Sequence, residues 1–553
     1  TLDIPGQTRS KVSPDGTISR RDIASKLVIV MVGLPARGKS YITNKLTRYL
    51  NWLQHNCQVF NVGNTRRRDN ADMGPESNPL PDSPASGNSG ETSPSALEHH
   101  ETKHKASFFS PDNLLTTALR EKWAMDTLDE LLTCVIDGDL SVGIFDATNS
   151  TKARRKKVLN RILERSNSQL KVLFLESICS DPNIVNENIR LKLSGPDYRD
   201  MDPDEALRDF VGRLKNYERG YQTIGEDEEK IKSFSYIKMI DVGKKVVTYN
   251  VEGFLASQTV YFLLNFNLAE RQIWITRHGE SKDNVLGRIG GDAPLTERGI
   301  QFSKALARFI SYKKQDFRRS QLENFKSRLE IKIKNRESTE EVKPPDDPIF
   351  TVWTSMMKRA IGTAEYFPEN EFFVKEMRML DELSAGRCDG MTYAEIQEKY
   401  PLEFKLRLEN KMTYRYPGVG GESYLDVINR LRPVITEVER TTDHVLIITH
   451  RVVSRVLLGY FLNLNKSVIG DLDVPLHTVY CLEPKPYGVE WCLYEYDETT
   501  DWFNKVEEDS LSNKKKVEQV NISFKERQYS VVPTTGPSGH YFKDSTNTGN
   551  NTN

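Results

Sequence analysis

The chain has 553 residues, with 77 Lys and Arg against 78 Asp and Glu for a net charge of −1, a length that exceeds one ordinary core and suits two domains with additional segments. Near-neutrality argues against bulk electrostatic binding to nucleic acid or to a membrane surface, so any affinity for anions has to be local. No apolar stretch approaches the ~18 residues of a membrane span, no signal peptide is visible, and the six Cys lack paired or metal-ligand spacing. These features describe a soluble, cytoplasmic protein with free thiols; because the chain starts at Thr1 and not at Met, an upstream portion is expected.

Residues 1–25 are polar and turn-rich and are expected to be disordered. The apolar run from Lys26 to Val32 then predicts a parallel strand buried on both faces, and Ser40 to Leu53 predicts a helix with Ile42, Leu46, Tyr49, Leu50 and Leu53 on one side. Between them lies Gly33-Leu34-Pro35-Ala36-Arg37-Gly38-Lys39-Ser40, a Gly-x-x-x-x-Gly-Lys-Ser loop. In that strand–loop–helix order, backbone N–H groups and the helix N-terminus face phosphates, Lys39 reaches the β- and γ-phosphates of a nucleotide, and Ser40 offers a hydroxyl to Mg²⁺. A second apolar run, Val142 to Phe145, ends in Asp146-Ala147-Thr148-Asn149, placing a carboxylate where it holds Mg²⁺ or orients an attacking hydroxyl. Arg66, Arg67 and Arg68 follow the strand-like Val59–Val62, and Lys192, Arg120 and Arg213 are further cations of the same domain; spacing alone leaves open whether they bind phosphate.

From 69 to 105 the composition turns to Ser, Pro, Asn, Gly and acids, a disordered insertion whose His99, His100 and His104 lack the companions of a metal site. Helical and strand patterns alternate from Pro111 to Tyr261, closing a first α/β domain at 26–268. A second domain, 269–498, opens with a strand from Ile273. An insertion at 313–347 interrupts it, starting as a basic, protruding, solvated helix and turning acidic and Pro-rich. The tail 499–553 is read as disordered.

Ile273–Thr276 leads into Arg277-His278-Gly279-Glu280, and Val445–Thr449 leads into His450, so two buried strands deliver a His at their carboxyl ends, where α/β sheets bind ligands. Such a pair suits a nucleophile with a charged partner: His278 takes a phosphoryl group on nitrogen, Gly279 permits close backbone approach, and Arg277 and Arg359 hold the equatorial oxygens. His450 would stabilise the transferring group, and Glu382 would protonate the leaving alkoxide.

Taken together the motifs resemble the 6-phosphofructo-2-kinase/fructose-2,6-bisphosphatase family, especially its fungal members, over about 26–500. The resemblance rests on the Gly33–Ser40 loop, Phe145–Asn149, Ser194-Gly-Pro-Asp-Tyr198, Arg277–Ser281, Ile289–Asp292, Gly390–Glu395 and Pro475–Thr478. It implies a P-loop α/β kinase domain with a parallel sheet, followed by an α/β histidine-phosphatase domain like that of phosphoglycerate mutase. It further implies ATP and Mg²⁺ as cofactors, held by Gly33, Ala36, Arg37, Gly38, Lys39, Ser40, Tyr41 and Asp146. Fructose 6-phosphate would be bound by Arg66, Arg67, Arg120, Thr148, Arg213 and Tyr217 and phosphorylated at its 2-hydroxyl, with Lys192 near the transferring phosphate.

In the second half the resemblance makes His278 the phosphohistidine and Glu382 the acid in hydrolysis of fructose 2,6-bisphosphate. Arg277, Asn284, Gly290, Arg359 and His450 would surround the reacting phosphate, and Tyr393, Arg407, Lys411, Arg415, Tyr424 and Arg455 the rest of the sugar bisphosphate. A homodimer is implied, and Arg20-Arg21 before Ser25 and Arg318-Arg319-Ser320 are candidate targets of regulatory protein kinases. Three departures from the family pattern stand out: the two insertions, a shortened segment between Arg190 and Pro196, and Arg451 where the family usually has Gln. The reading is a bifunctional enzyme with the kinase dominant, or alternatively a kinase whose second half is a weak or regulatory module.

Overall fold

The structure is a computed structural model that describes residues 22–72, 106–109, 113–193, 198, 201–265, 267–334, 344–485 and 488–507. Expectations for 1–21, 73–105, 335–343 and 508–553, including the three His at 99, 100 and 104, fall outside the described residues. The chain divides into two compact units, Thr1–Phe266 and Asn267–Asn553. All six Cys are free thiols, four of them buried.

The first unit is built on six strands, β1 Leu27–Val32, β2 Cys57–Asn61, β3 Val142–Asp146, β4 Lys171–Ile178, β5 Tyr236–Ile240 and β6 Lys245–Tyr249, in the order β2-β3-β1-β4-β5-β6. The first five strands in that order pair in parallel and β6 closes the edge antiparallel. Every residue of β1 is buried, as a central parallel strand with helices on both faces requires. The helix Lys39–Trp52 buries Ile42, Leu46, Tyr49 and Leu50, the predicted stripe. Helices Leu114–Ile136 and Lys152–Arg165 add Leu128, Leu131, Val158 and Ile162 to a core with Val28, Val30, Phe145 and Phe174. Each such side chain contributes about 1.5–3 kcal/mol on burial.

Two expectations are corrected here. Residues 69–72 belong not to the insertion but to the helix Val62–Asp72, where the Asp69 carboxylate accepts a hydrogen bond from Trp123 Nε1 at 2.8 Å. Residues 22–25 are ordered too: Ile23–Ser25 form one 3₁₀ turn, and Asp22 accepts from Ser25 Oγ at 2.8 Å.

The second unit has seven strands, β7 Ile273–Arg277, β8 Phe350–Thr354, β9 Phe372–Glu376, β10 His444–Thr449, β11 Thr478–Lys485, β12 Gly488–Asp497 and β13 Trp502–Lys505, in the order β13-β12-β11-β7-β10-β8-β9. β7, β10, β8 and β9 run parallel, and β11 to β13 form an antiparallel extension. β7 and β10 are buried throughout and lie side by side, with Thr449 opposite Arg277. His278 and His450 therefore leave the sheet next to each other.

The expected disordered tail from 499 is corrected by β13. Asp497–Asp501 makes a turn, and Trp502 and Phe503 return to the sheet, where Phe503 stacks on Phe309 at 4.6 Å. A low average apolar content had concealed two adjacent large rings. The basic stretch after 313 is likewise no free-standing helix at its start. It continues Glu297–Lys334, and Phe317 packs edge-on against buried His444 at 4.6 Å.

Candidate active sites

In the first unit the carboxyl ends of β1 and β3 converge. Gly33 has φ +139°, and a Cβ there would lie 2.6 Å from the Ser177 carbonyl, so only glycine fits. Its N–H is donated to the Thr148 carbonyl at 3.0 Å. Gly33 thus seats the loop on β4 and on the segment after β3, while Gly38, at φ +82°, turns the chain into the helix. Lys39 Nζ is held by the Gly33 and Leu34 carbonyls at 2.8 and 2.7 Å. Burial pushes its ammonium down to about 8, with Lys192, Arg37 and Arg213 adding to that and Asp146 opposing it. It stays mostly cationic at neutral pH. Lys192 Nζ reaches Ser40 Oγ at 3.3 Å, and buried Asp146 accepts from Asn61 Nδ2 at 2.6 Å. Arg37 pairs with Glu218 at 3.2 Å, and Tyr41 lies under Lys45.

Beside this loop, three of the predicted cations share one aromatic ring. Arg213 stacks 3.8 Å from the Phe109 centroid, and Arg66 and Arg120 lie at 5.6 and 5.9 Å. The Tyr217 ring stands 5.8 Å from the same ring. Arg67 makes its contact with Asn64 on the same helix and is not among the cations on Phe109.

In the second unit a cavity of about 480 Å³ opens at the ends of β7 and β10. Its wall carries Arg277, Arg288, Arg298, Arg359, Arg407, Lys411 and Arg451 against Glu280, Asp283 and Glu382, an excess of positive charge suited to a polyanion. His278 lines the cavity, and the buried His450 ring lies 5.1 Å behind the His278 ring. His278 Nδ1 sits 2.6 Å from the Gly279 carbonyl, which only accepts, so Nδ1 carries the proton and Nε2 keeps its lone pair. Arg359 Nε donates towards His278 Nε2 at 3.1 Å and His450 Nδ1 at 3.3 Å. His450 Nε2 meets Ser355 Oγ at 2.7 Å.

Burial and, after it, the Arg359 guanidinium hold both imidazoles well below their usual range. Both imidazoles are thereby biased to the neutral form, and the positive charge beside them comes from Arg359 and Arg277. Gly279 is also reassigned. A Cβ there would meet the Gly299 carbonyl at 2.6 Å, so its bareness serves the packing of one backbone on another.

Glu382 lines the cavity, its Oε1 accepting from Leu383 N–H at 2.8 Å. Asn284 caps its own turn through Ser281. Gly290 faces Asp389. Tyr393 accepts from Arg407 at 2.8 Å, and the guanidinium lies 4.8 Å from its ring. Lys411 pairs with Asp471 at 2.6 Å. Three predicted residues are not on the wall: His450 lies buried behind His278, Arg415, mostly exposed, is paired with Asp426, and Arg455 lies beneath the wall, donating to the Leu472 carbonyl at 2.7 Å and to Tyr424 Oη at 3.1 Å.

Residues 14–270 match the family described as 6-phosphofructo-2-kinase, and residues 273–323 and 340–496 match the histidine phosphatase superfamily, branch 1. Saccharomyces cerevisiae 6-phosphofructo-2-kinase 1 is 57% identical over 538 residues, which cover 97% of this chain and 60% of that protein. Human 6-phosphofructo-2-kinase/fructose-2,6-bisphosphatase 1 is 40% identical over 465 residues, covering 84% of this chain and 83% of that protein. The Gallus gallus 6-phosphofructo-2-kinase/fructose-2,6-bisphosphatase is 40% identical over 464 residues, with 84% and 83% covered.

The chain belongs to the 6-phosphofructo-2-kinase/fructose-2,6-bisphosphatase family. The kinase unit of this family member also places two residues that motif reading passed over beside the predicted cations. Phe109 sits just beyond the 69–105 stretch, and nothing in its neighbours' spacing signals that arginines distant in sequence gather on it. Arg154 pairs with Glu121, and burial followed by Arg120 pushes its guanidinium down to about 10, with Tyr217 opposing. It stands two residues past Lys152 at the start of a helix, where an Arg ordinarily reads as solvated. Among the described residues no helix is long and apolar enough to cross a membrane, and no group of three His, Cys, Asp or Glu is placed to hold a metal ion.

Proposed function

We propose that the first unit transfers the γ-phosphoryl group of ATP to the 2-hydroxyl of fructose 6-phosphate and that the second hydrolyses the resulting fructose 2,6-bisphosphate, with the kinase activity dominant. The observation that carries the reading is the pairing, on one chain of this family, of a Gly33–Ser40 phosphate loop with a cationic cavity floored by a neutral His278. Lys39 follows the β- and γ-phosphates, and Asp146 orients the attacking hydroxyl. Ser40 and Asp146 are hard oxygen donors near the loop and fit Mg²⁺, which when bound neutralises phosphate charge. Arg66, Arg120 and Arg213 hold the sugar phosphate.

In the second unit His278 Nε2 attacks phosphorus, the bond from phosphorus to O2 of the sugar breaks, and Glu382 gives its proton to the leaving oxygen. Water then attacks the phosphohistidine, returning a proton to Glu382 and releasing inorganic phosphate. Arg277 and Arg359 hold the equatorial oxygens throughout, and their charge favours the transition state over the neutral ground-state imidazole.

The full chain incubated with fructose 2,6-[2-³²P]bisphosphate should retain label on His278, and His278→Ala should lose both the label and the hydrolysis while still phosphorylating fructose 6-phosphate. Hydrolysis that persists in His278→Ala would discard the phosphohistidine route. A homodimer, a cytoplasmic location and control by basophilic protein kinases acting at Ser25 or Ser320 complete the proposal; both hydroxyls are on exposed residues.

A further inference from the structure

We infer that Phe109 is the positioning residue of the sugar-phosphate site, a ring that holds the Arg66, Arg120 and Arg213 guanidiniums at the spacing an approaching phosphate dianion needs. The inference rests on the reading of that site given above and deepens it.

Three guanidiniums within 6 Å of one ring centroid repel one another. Side chains this long would ordinarily swing apart into water. The negative face of the ring counters that tendency for all three at once, an attraction that strengthens as the site is desolvated. Arg213 at 3.8 Å is in full stacking contact, which fixes the plane of its fork and so the direction of its N–H groups. Arg120 is tied to the same residue through its backbone as well, its Nη1 donating to the Phe109 carbonyl at 3.4 Å, while its Nε and Nη2 donate to the Thr116 carbonyl at 3.3 Å and Thr117 Oγ1 at 2.8 Å.

The ring itself is anchored. Phe109 is 4% exposed and closes the 3₁₀ turn Ala106–Phe109, whose Phe108 packs edge-on to it at 5.3 Å and rests against Trp123 at 6.0 Å. Trp123 is in turn held by Asp69 at the end of the helix that carries Arg66. The arginines come from three separate helices, Val62–Asp72, Leu114–Ile136 and Pro203–Arg219, and all three meet at Phe109. A pre-set cluster binds a phosphate without having to order three side chains on arrival, so its effect belongs to substrate binding and not to the transfer step.

The test separates ring from bulk, using the full chain with fructose 6-phosphate and ATP. Phe109→Leu keeps an apolar side chain but removes the π face: KM for fructose 6-phosphate should rise about 10-fold or more, with kcat and the KM for ATP within about 2-fold. Phe109→Tyr keeps the face and should restore the low KM. The melting temperature of each variant shows whether packing was disturbed; a Leu variant that melts with the wild type and keeps the wild-type KM overturns the proposal. A wild-type protein that does not phosphorylate fructose 6-phosphate overturns the function reading instead. The positioning role is then decided by calorimetric binding of inorganic phosphate, which should weaken at least about 5-fold in Phe109→Leu and recover in Phe109→Tyr. Equal phosphate affinity in all three proteins would also overturn it.

Discussion

Arg359 shares a single Nε–H between two imidazoles, and that sharing sets the chemistry of the second site. The bond marks the lone pairs of His278 Nε2 and His450 Nδ1, so geometry picks out the nitrogen with a free lone pair, and burial, with the guanidinium's charge adding to it, holds both rings well below their usual range. Arg451 adds a different effect. Among the described residues it has no ion pair or hydrogen bond, and burial, then Arg455, pushes it down only to about 10, so it remains a cation on the cavity wall. A cation that binds bound phosphate as tightly as the transition state lowers KM without raising kcat, or slows release. Arg451→Gln should therefore raise KM for fructose 2,6-bisphosphate about 10-fold and raise kcat with it, as steady-state hydrolysis rates would show; a fall in kcat would mean that Arg451 assists the chemistry. In the kinase unit, Lys39→Ala removes the ammonium held at the loop and should cost at least about 100-fold in phosphoryl transfer to fructose 6-phosphate while phosphatase turnover stays within about 2-fold, measured on the same preparation.

At the scale of elements, Gly33 and Gly279 let a strand end pack on neighbouring backbone, and the second sheet takes one edge from a strand late in the chain. That strand is β13: Trp502 and Phe503 lie beyond the point where composition turns polar, yet Phe503 is 4% exposed and stacks on Phe309 of the long helix Glu297–Lys334. Phe503→Ala should destabilise the unit by about 3 kcal/mol, read as a lower urea midpoint at unchanged slope; a shift below about 1 kcal/mol would show that β13 is peripheral. The parallel strands were legible because continuous apolar runs such as Leu27–Val32 and Val445–Thr449 have no other economical burial. β13 was not, because a four-residue strand gains its meaning from the register with β12.

For the whole molecule, acid sensitivity should be concentrated in the second unit. His444 and His477 are buried, and burial first, with Lys314 adding for His444 and Arg298 for His477, pushes each to about 4, below the ~6.5 of an unfolded chain. The folded state therefore binds fewer protons than the unfolded one, so this stability is fully present above about pH 6.5 and drains away as the pH falls towards 4, by up to about 3 kcal/mol for each ring. Calorimetry of the full chain between pH 7.5 and 4.5 should show the fall, and the double variant His444→Gln/His477→Gln should make it shallower, with buried His278 and His450 supplying the remainder; an unchanged slope would place the sensitivity elsewhere. The amino-acid order by itself determined the two α/β units, the phosphate loop and the pair of His-bearing strand ends, because each is a local pattern of burial period followed by a turn. Only the tertiary structure decided that the His pair is neutral under Arg359, that Gly33 and Gly279 serve backbone packing, that Arg415 stands off the cavity, and that Phe109 gathers three arginines. Those outcomes depend on desolvation and on contacts between side chains far apart in sequence, and no local pattern records either.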